Sequence, residues 1–112
     1  MAIVRGADRV ETIRVAFDAI GGLESYIKPK DRVLLKVNAA FAFPPMLCAT
    51  SHPDLVAEVI RLCLKAGASS VIVTDNPIND PASCFALSGI DKAARDAGAK
   101  VVLPRADAFR SF

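Results

Sequence analysis

Residues 32–38 have the sequence RVLLKVN, in which apolar side chains fall on both faces of an extended chain. This pattern is typical of a strand covered by helices on both sides, as in parallel sheets. We therefore interpret residues 32–38 as the central strand of an α/β domain. Short apolar runs at 2–5, 70–74 and 100–103 predict three further strands.

Segments with helical periodicity alternate with these runs. Asp8, with Glu11 three positions later, predicts the start of a first helix, because this spacing forms a capping box. Ser51, followed by Pro53, predicts the start of a second helix that runs to Gly67. Opposite its apolar stripe we expect a polar face formed by Glu58, Arg61 and Lys65.

A weaker helical pattern begins at Asp80-Pro81, and Gly89 predicts a break within it. The complete order is βαβαβαβ, and parallel strands are joined by right-handed crossovers. The pattern thus predicts a three-layer α/β fold with a mostly parallel four-stranded sheet and helices on both faces. Such an architecture corresponds to one half of a Rossmann-like domain.

Length and composition allow one domain. The chain has 112 residues, of which 53% are hydrophobic and 23% charged, enough for one modest core. We expect residues 1–112 to form a single α/β domain that is the amino-terminal part of a longer one. Too few residues follow the fourth strand to cover its edge, so we expect a homo-oligomer or a partner domain there.

Charge and hydropathy exclude two classes of partner, nucleic acids and membranes. A net charge of +2 lacks the basic stripe that nucleic-acid binding requires. No apolar run approaches the roughly 18 residues of a membrane span, so we expect no membrane partner and a cytoplasmic location.

A candidate site follows from the parallel topology, since ligands of open α/β sheets bind outside the carboxyl ends of the strands. We expect the ligand-binding residues to be Lys36, Asn38, Thr50, Ser51, His52, Asp75 and Asn76. Lys36 requires an anionic partner, and Asp75 is the obvious one, so the two form either a structural ion pair or a pair that contacts a ligand. His52 is the sole histidine and is either a base, a ligand or an idle exposed residue.

The three cysteines form no CxxC pair, so this chain by itself builds neither a zinc ribbon nor a ferredoxin-type cluster. Cys63 lies on the apolar stripe of the second helix and is expected in the core. Cys48 and Cys84 follow the second and third predicted strands and are expected near one another or near His52, so a redox pair or a metal site with Asp75 is an alternative. Glycine-rich nucleotide loops and a GxSxG elbow are absent, which disfavours dinucleotide enzymes, P-loop NTPases and serine hydrolases.

Three segments together carry a family resemblance. They are KPKDRVLLKVN at 28–38, TSHPDLV at 50–56, and AGA at 66–68 leading to VIVTDNP at 71–77. The chain resembles domain-of-unknown-function family 362, over nearly its whole length. It departs from the family pattern at Val37, where the family commonly has proline, and in lacking the cluster-binding cysteines.

The resemblance implies a prokaryotic module of uncharacterised iron–sulfur proteins. A 4Fe-4S cluster would lie only in a segment outside this chain, and the chain itself would hold no cofactor. The favoured interpretation is a site for a small anionic molecule or ion, or for a metal, at the strand ends. Alternatives are an association module that docks through the fourth strand and the loop Phe41–Pro45, and a redox or metal role through Cys48, His52 and Cys84. Whether the protein is an enzyme is left open.

Overall fold

The structure is a computed structural model that describes residues 1–105 together with Asp107 and Phe109. Its elements are α1 (Arg9–Asp18), β1 (Arg32–Lys36), α2 (Pro53–Lys65), β2 (Ser70–Thr74), α3 (Pro81–Leu87), α4 (Ile90–Asp96) and β3 (Lys100–Val101), with short 3-10 turns at Leu23–Ser25 and Pro45–Leu47. The fold is therefore mixed α/β, as the alternating pattern predicts. None of the helices in the described ranges has the length and apolar character needed to cross a membrane.

The sheet has three parallel strands in the order β1-β2-β3. Leu35 is in register with Val73, which in turn pairs with Val101. The central strand is therefore β2, and the prediction that residues 32–38 lie at the centre is wrong. Apolar residues on both faces indicate a buried strand, but they do not specify which neighbours it pairs with.

The predicted first strand, residues 2–5, is not a strand in the structure. Val4 instead lines a cleft against Ile13 of α1 and Leu55 of α2, while Ile3 is almost fully exposed. The segment therefore packs its apolar side chain against the helices and not against the sheet. The described sheet has three strands, where four were expected.

Helices cover one face of this sheet, and the expectation of helices on both faces is not met in the described residues. Because β1, β2 and β3 succeed one another in one direction, right-handed crossovers put α2 and α4 on the same side. Accordingly, α2 packs against α4, against β2 and against α1. In the described residues the strand order does not reverse, so no crossover carries a helix to the opposite face. The helices therefore lie on one side of the sheet rather than on both.

The core lies between the sheet and the helices. Its largest fully buried hydrophobic side chains are Phe85, Ile60, Ile90, Val71 and Val73. Cys63 is buried beside them, as the stripe of α2 predicts.

Glu58 was expected on the exposed face of α2 but is buried, because α1 lies over that face. Its carboxylate oxygen Oε1 accepts a hydrogen bond of 2.7 Å from Nε of Arg14 on α1. Oε2 accepts a longer one of 3.4 Å from Arg61. The residue pattern of α2 alone does not predict this contact, because the partner Arg14 lies on α1, 44 residues earlier in the chain.

The helix boundaries agree with most of the capping signals. Asp8 caps α1 by accepting a hydrogen bond from the Glu11 amide. The break at Gly89 is confirmed, since this residue has φ of 76° between α3 and α4. The start of α2 differs by one residue, because His52 rather than Ser51 is the N-cap.

Candidate functional site

The carboxyl ends of β1 and β2 lie side by side and carry an ion pair. Lys36, the last residue of β1, is in register with Thr74, so Asp75 follows directly beyond the neighbouring strand. The Lys36 Nζ donates hydrogen bonds to Asp75 Oδ1 at 2.6 Å and to the Val37 carbonyl at 3.1 Å. The parallel pairing and the meeting of the two residues confirm the expectation drawn from the strand pattern.

The two partners differ in burial. The side chain of Lys36 is 71% exposed, whereas that of Asp75 is only 5% exposed. The lysine therefore lies on the outer face of β1, not inside the layer, and the carboxylate is the buried member.

Asp75 connects the strand ends to the following loop. Its Oδ2 accepts a 2.6 Å hydrogen bond from the Ala39 amide, which lies beyond β1. Burial by itself would raise the pKa of Asp75, but hydrogen bonds from Lys36 and from the amides of Ala39 and Asn76 outweigh it. The pKa of this carboxyl consequently lies below its ordinary value, and the group is ionised at neutral pH.

We call residues 39–50 the rim loop. The residues that flank it, Asn38 and Ser51, are hydrogen-bonded to each other. The Ser51 amide donates to the Asn38 carbonyl at 2.8 Å, and the Asn38 amide donates to the Ser51 hydroxyl at 3.0 Å. The Asn38 side-chain oxygen also accepts from the Ala40 amide at 3.2 Å. The Ser51 hydroxyl therefore helps to close the loop, which explains why Ser51 does not cap α2, and the Asn38 side chain stabilises the turn that begins the loop.

His52 caps α2 through its ring. Nδ1 accepts a hydrogen bond of 3.3 Å from the Asp54 amide, so the proton of the neutral ring lies on Nε2. Pro53 has no amide hydrogen and that of Asp54 is already bonded, so this helix start has fewer free donors for an anion than we expected. Thr50 is half-buried and Asn76 is exposed.

The loop after β2 holds the rim loop in place. The amides of Ile78 and Asn79 both donate to the Ala40 carbonyl, at 3.0 and 3.4 Å. The side-chain oxygen of Asn79 accepts from the Ala42 amide at 3.5 Å. Asn79 was not among the predicted site residues, and its only sequence signal is its place in the turn before Asp80-Pro81.

The carboxyl ends of β1 and β2 and the ends of the rim loop together form one edge of the sheet, which we call the rim. The structure places on it all the predicted ligand-binding residues, namely Lys36, Asn38, Thr50, Ser51, His52, Asp75 and Asn76. Direct hydrogen bonds join Lys36 to Asp75 and Asn38 to Ser51. Ligand binding by any of them remains a prediction.

The cysteines lie in contrasting environments. Cys48 is exposed and Cys84 is fully buried, with its thiol directed to the Ala40 carbonyl at 3.7 Å. Burial raises the pKa of the Cys84 thiol, and likewise that of Cys63. Within the described part of the chain, no three His, Cys, Asp or Glu side chains lie together as a metal site requires. Cys48, His52 and Cys84 therefore do not form a ligand set in this structure.

Exposed apolar side chains extend from the rim loop. Phe43, Met46 and Leu47 are 45%, 83% and 58% exposed. The rings of Phe41 and Phe43 stack with their centroids 5.8 Å apart. The rim thus combines an exposed ammonium group with an apolar loop.

The chain is similar in sequence to one protein family and to a thylakoid-associated protein. The profile of the family described as Domain of unknown function (DUF362) matches residues 33–112. The Thylakoid-associated protein sll1697 of Synechocystis sp. (strain ATCC 27184 / PCC 6803 / Kazusa) is 36% identical over 56 residues, which are 50% of this chain and 17% of that protein. The match therefore spans a small part of that relative's length. No solved structure shows a significant match.

Proposed function

We propose that this chain, which belongs to the family described as Domain of unknown function (DUF362), binds a small anionic ligand at its rim. The observation that carries the proposal is the arrangement of Lys36, whose ammonium group is held in place by a buried carboxylate and yet remains largely open to solvent. Two of its three hydrogens have protein acceptors, Asp75 and the Val37 carbonyl. The third is available to a ligand.

The chemistry of the rim limits the class of ligand. Lys36 and Asp75 together are electrically neutral, so affinity has to come from donors held in fixed positions rather than from net charge. An ammonium group is a compact point charge that suits phosphate or carboxylate oxygens. We therefore propose a small phosphate-bearing or carboxylate-bearing molecule, with Asn76 and the Nε2–H of His52 as further rim donors.

The test measures the thermal stability of the 112-residue chain in phosphate, sulfate and malonate, with sodium chloride at matched ionic strength. A ligand at a hundred times its Kd stabilises the folded state by about 2.7 kcal/mol. We expect at least one of the three anions to raise the Tm of the wild type, and the Lys36→Ala variant to lose this increase.

Lys92→Ala provides the matched control, because Lys92 is also exposed and paired with an aspartate, Asp96. This variant should retain the full increase in Tm. The proposal is wrong if Lys36→Ala retains it, or if no anion exceeds the chloride effect.

An association function is the second candidate, and the exposed Phe43, Met46 and Leu47 favour it. The name of the Synechocystis relative, Thylakoid-associated protein sll1697, also supports association as a function. We propose that the rim loop docks another subunit, with the edge of β3 as a second contact. Light scattering should then show a mass that rises with protein concentration, and Met46→Asp should abolish the rise.

A monomer at every concentration would contradict self-association through the rim loop. Leu87→Asp is the control for a general loss of apolar surface, since Leu87 is also an exposed apolar residue, 57% exposed, but lies on α3. It should leave any rise in mass unchanged.

The resemblance also implies an iron–sulfur cluster, which we propose to lie in a segment outside these 112 residues. No three metal-ligating side chains lie together in the described part of the chain, so the residues present do not fit a cluster. Its three free cysteines are consistent with a reducing compartment such as a prokaryotic cytoplasm. Iron analysis and visible absorption of this chain, and of any longer natural polypeptide that contains it, test this placement.

A further inference from the structure

One face of the sheet has no covering layer in the described residues. Side chains alternate along each strand, so the residues opposite the helix layer come from every second position. We call them the open face, and they are Arg32, Leu34, Lys36, Ser70, Ile72, Thr74, Lys100 and Val102. Leu34 is 63% exposed and Val102 41% exposed, whereas Val71 and Val73 on the helix side are buried.

The register places the apolar residues of this face in a compact patch. Leu34 pairs with Ile72, and Ile72 pairs with Lys100 on the other edge. A shallow depression lies between Leu34 and Ile72 and is bordered by Arg32. Parallel sheets are normally buried on both faces, so an apolar patch on an open parallel sheet is a candidate docking surface.

Apart from Lys36, which is paired with Asp75, the charged residues at the described positions of the open face are the cations Arg32 and Lys100. Arg32, Lys36 and Lys100 surround the apolar patch, and the face has no acidic residue among its described strand positions. A second copy packed face to face would bring these cations against one another, which is unfavourable. An occupant with acidic groups around an apolar stripe would be complementary.

We infer that the open face binds an amphipathic helix whose apolar stripe is flanked by Asp or Glu. The stripe would cover Leu34, Ile72 and Val102, and the acidic flanks would meet Arg32 and Lys100. A helix suits the surface because its i, i+3, i+4 stripe matches a flat apolar patch on a sheet. This surface shares only Lys36 with the rim, and the inference does not rest on the proposed function.

The test is a selection from a phage-displayed library of 16-residue helices against the immobilised chain. Each helix has a fixed leucine stripe, and its flanking positions vary freely among Glu, Gln and Lys. Enriched helices should be rich in Glu. As synthetic peptides labelled for fluorescence anisotropy, they should bind the wild type and lose affinity as salt is raised.

Variants then locate the binding surface. Leu34→Asp should weaken binding about ten-fold or more, since one buried leucine side chain accounts for at least that ratio. The double variant Arg32→Gln with Lys100→Gln should weaken binding and reduce its dependence on salt, and it leaves Lys36 intact for the rim. Leu87→Asp, a change of similar exposure on α3, should bind normally. Circular dichroism checks the fold, and Leu34→Gln replaces Leu34→Asp where the aspartate prevents folding.

Several results would overturn the inference. One is enrichment of neutral or lysine-rich helices, and another is binding that Leu34→Asp and Leu34→Gln leave unchanged. A third is preferential binding to phosphatidylglycerol vesicles that depends on Leu34, which would make the occupant a lipid surface. A concentration-dependent mass abolished by Leu34→Asp would make it a second copy.

Discussion

Asp75 illustrates at the scale of one residue how a buried carboxylate organises a surface. Its two oxygens bind Lys36 on one side and the Ala39 amide on the other, at 2.6 Å each. One side chain therefore orients an exposed ammonium group and fixes the first residue of the rim loop. A buried group with this many partners is costly to alter, because each lost hydrogen bond leaves a polar group without its acceptor.

Replacement of Asp75 by asparagine should destabilise the chain by about 1–3 kcal/mol at pH 7, since the amide cannot accept both hydrogen bonds. The pKa of Asp75 is lower in the folded than in the unfolded chain. Its stabilisation is therefore present above the unfolded pKa and is lost as the pH falls through the folded pKa. Urea denaturation at several pH values should show the difference between wild type and Asp75→Asn shrinking in acid.

Asp96→Asn is the control, because Asp96 is an exposed carboxylate that is also paired with a lysine. Its effect on stability should be small at every pH, as for most surface ion pairs. A difference between wild type and Asp75→Asn that is independent of pH would contradict the assignment.

At the scale of elements, the contact between α1 and α2 includes a carboxylate without access to solvent. Glu58 is only 3% exposed, while Arg14 and Arg61 reach it from the surface. The hydrogen bond from Arg14 lowers the pKa of Glu58 against the opposing effect of burial, so the group stays ionised. Substituting the arginines and substituting the glutamate should therefore lower the free energy of unfolding by different amounts.

Substitution of both arginines, as Arg14→Met with Arg61→Met, should be strongly destabilising, because it leaves a buried charge without a partner. Glu58→Met should be much milder, about 1 kcal/mol or less, since the freed guanidinium groups are already exposed and become solvated. Chemical denaturation of both variants gives the order directly. A Glu58→Met variant less stable than the double arginine variant would show that the ion pair itself stabilises the contact.

The junction of α3 and α4 depends on a residue in the left-handed region. Gly89 has φ of 76°, and a Cβ there would meet Pro53 at an ordinary distance of 3.6 Å. Space is therefore available, and only the backbone conformation opposes a side chain. Gly89→Ala should cost about 1–2 kcal/mol in the free energy of unfolding.

Gly89→Asn should be less destabilising than Gly89→Ala, because asparagine tolerates this backbone conformation better than alanine. Urea denaturation of the two variants makes the comparison. Equal destabilisation would point to a steric cause rather than to backbone strain.

At the scale of the whole molecule, the described residues form one core and leave one face of the sheet, the open face, without a helix over it. The buried layer lies between the sheet and its helices, and both Cys63 and Cys84 are within it. Access to these thiols requires that the helix layer open, so they report on the stability of the core as a whole.

Thiol titration of the folded chain should give one rapidly reacting cysteine, Cys48, which is exposed. Cys63 and Cys84 should react only as the chain unfolds, because burial protects them and raises the pKa of both thiols. In denaturant all three should react. The Cys48→Ser variant should have no rapid thiol, and a second rapid thiol in the wild type would contradict the placement of Cys84.

Much of the local structure was predictable from the sequence alone. The apolar run of β2, the stripe of α2, the cap at Asp8 and the break at Gly89 all follow from side-chain periodicity and capping chemistry, which are properties of neighbouring residues. The meeting of Lys36 and Asp75 was also predictable, because the carboxyl ends of adjacent parallel strands share one edge.

Tertiary structure alone established the order of the strands, the exposure of the open face and the burial of Glu58. Periodicity shows that a residue faces an apolar environment or water, but it does not identify the segment that supplies that environment. The run 32–38 has the pattern of a central strand and lies at an edge, because no strand from residues 2–5 pairs with it. Such pairings join residues far apart in the chain, and their free energy depends on the packing of the whole molecule.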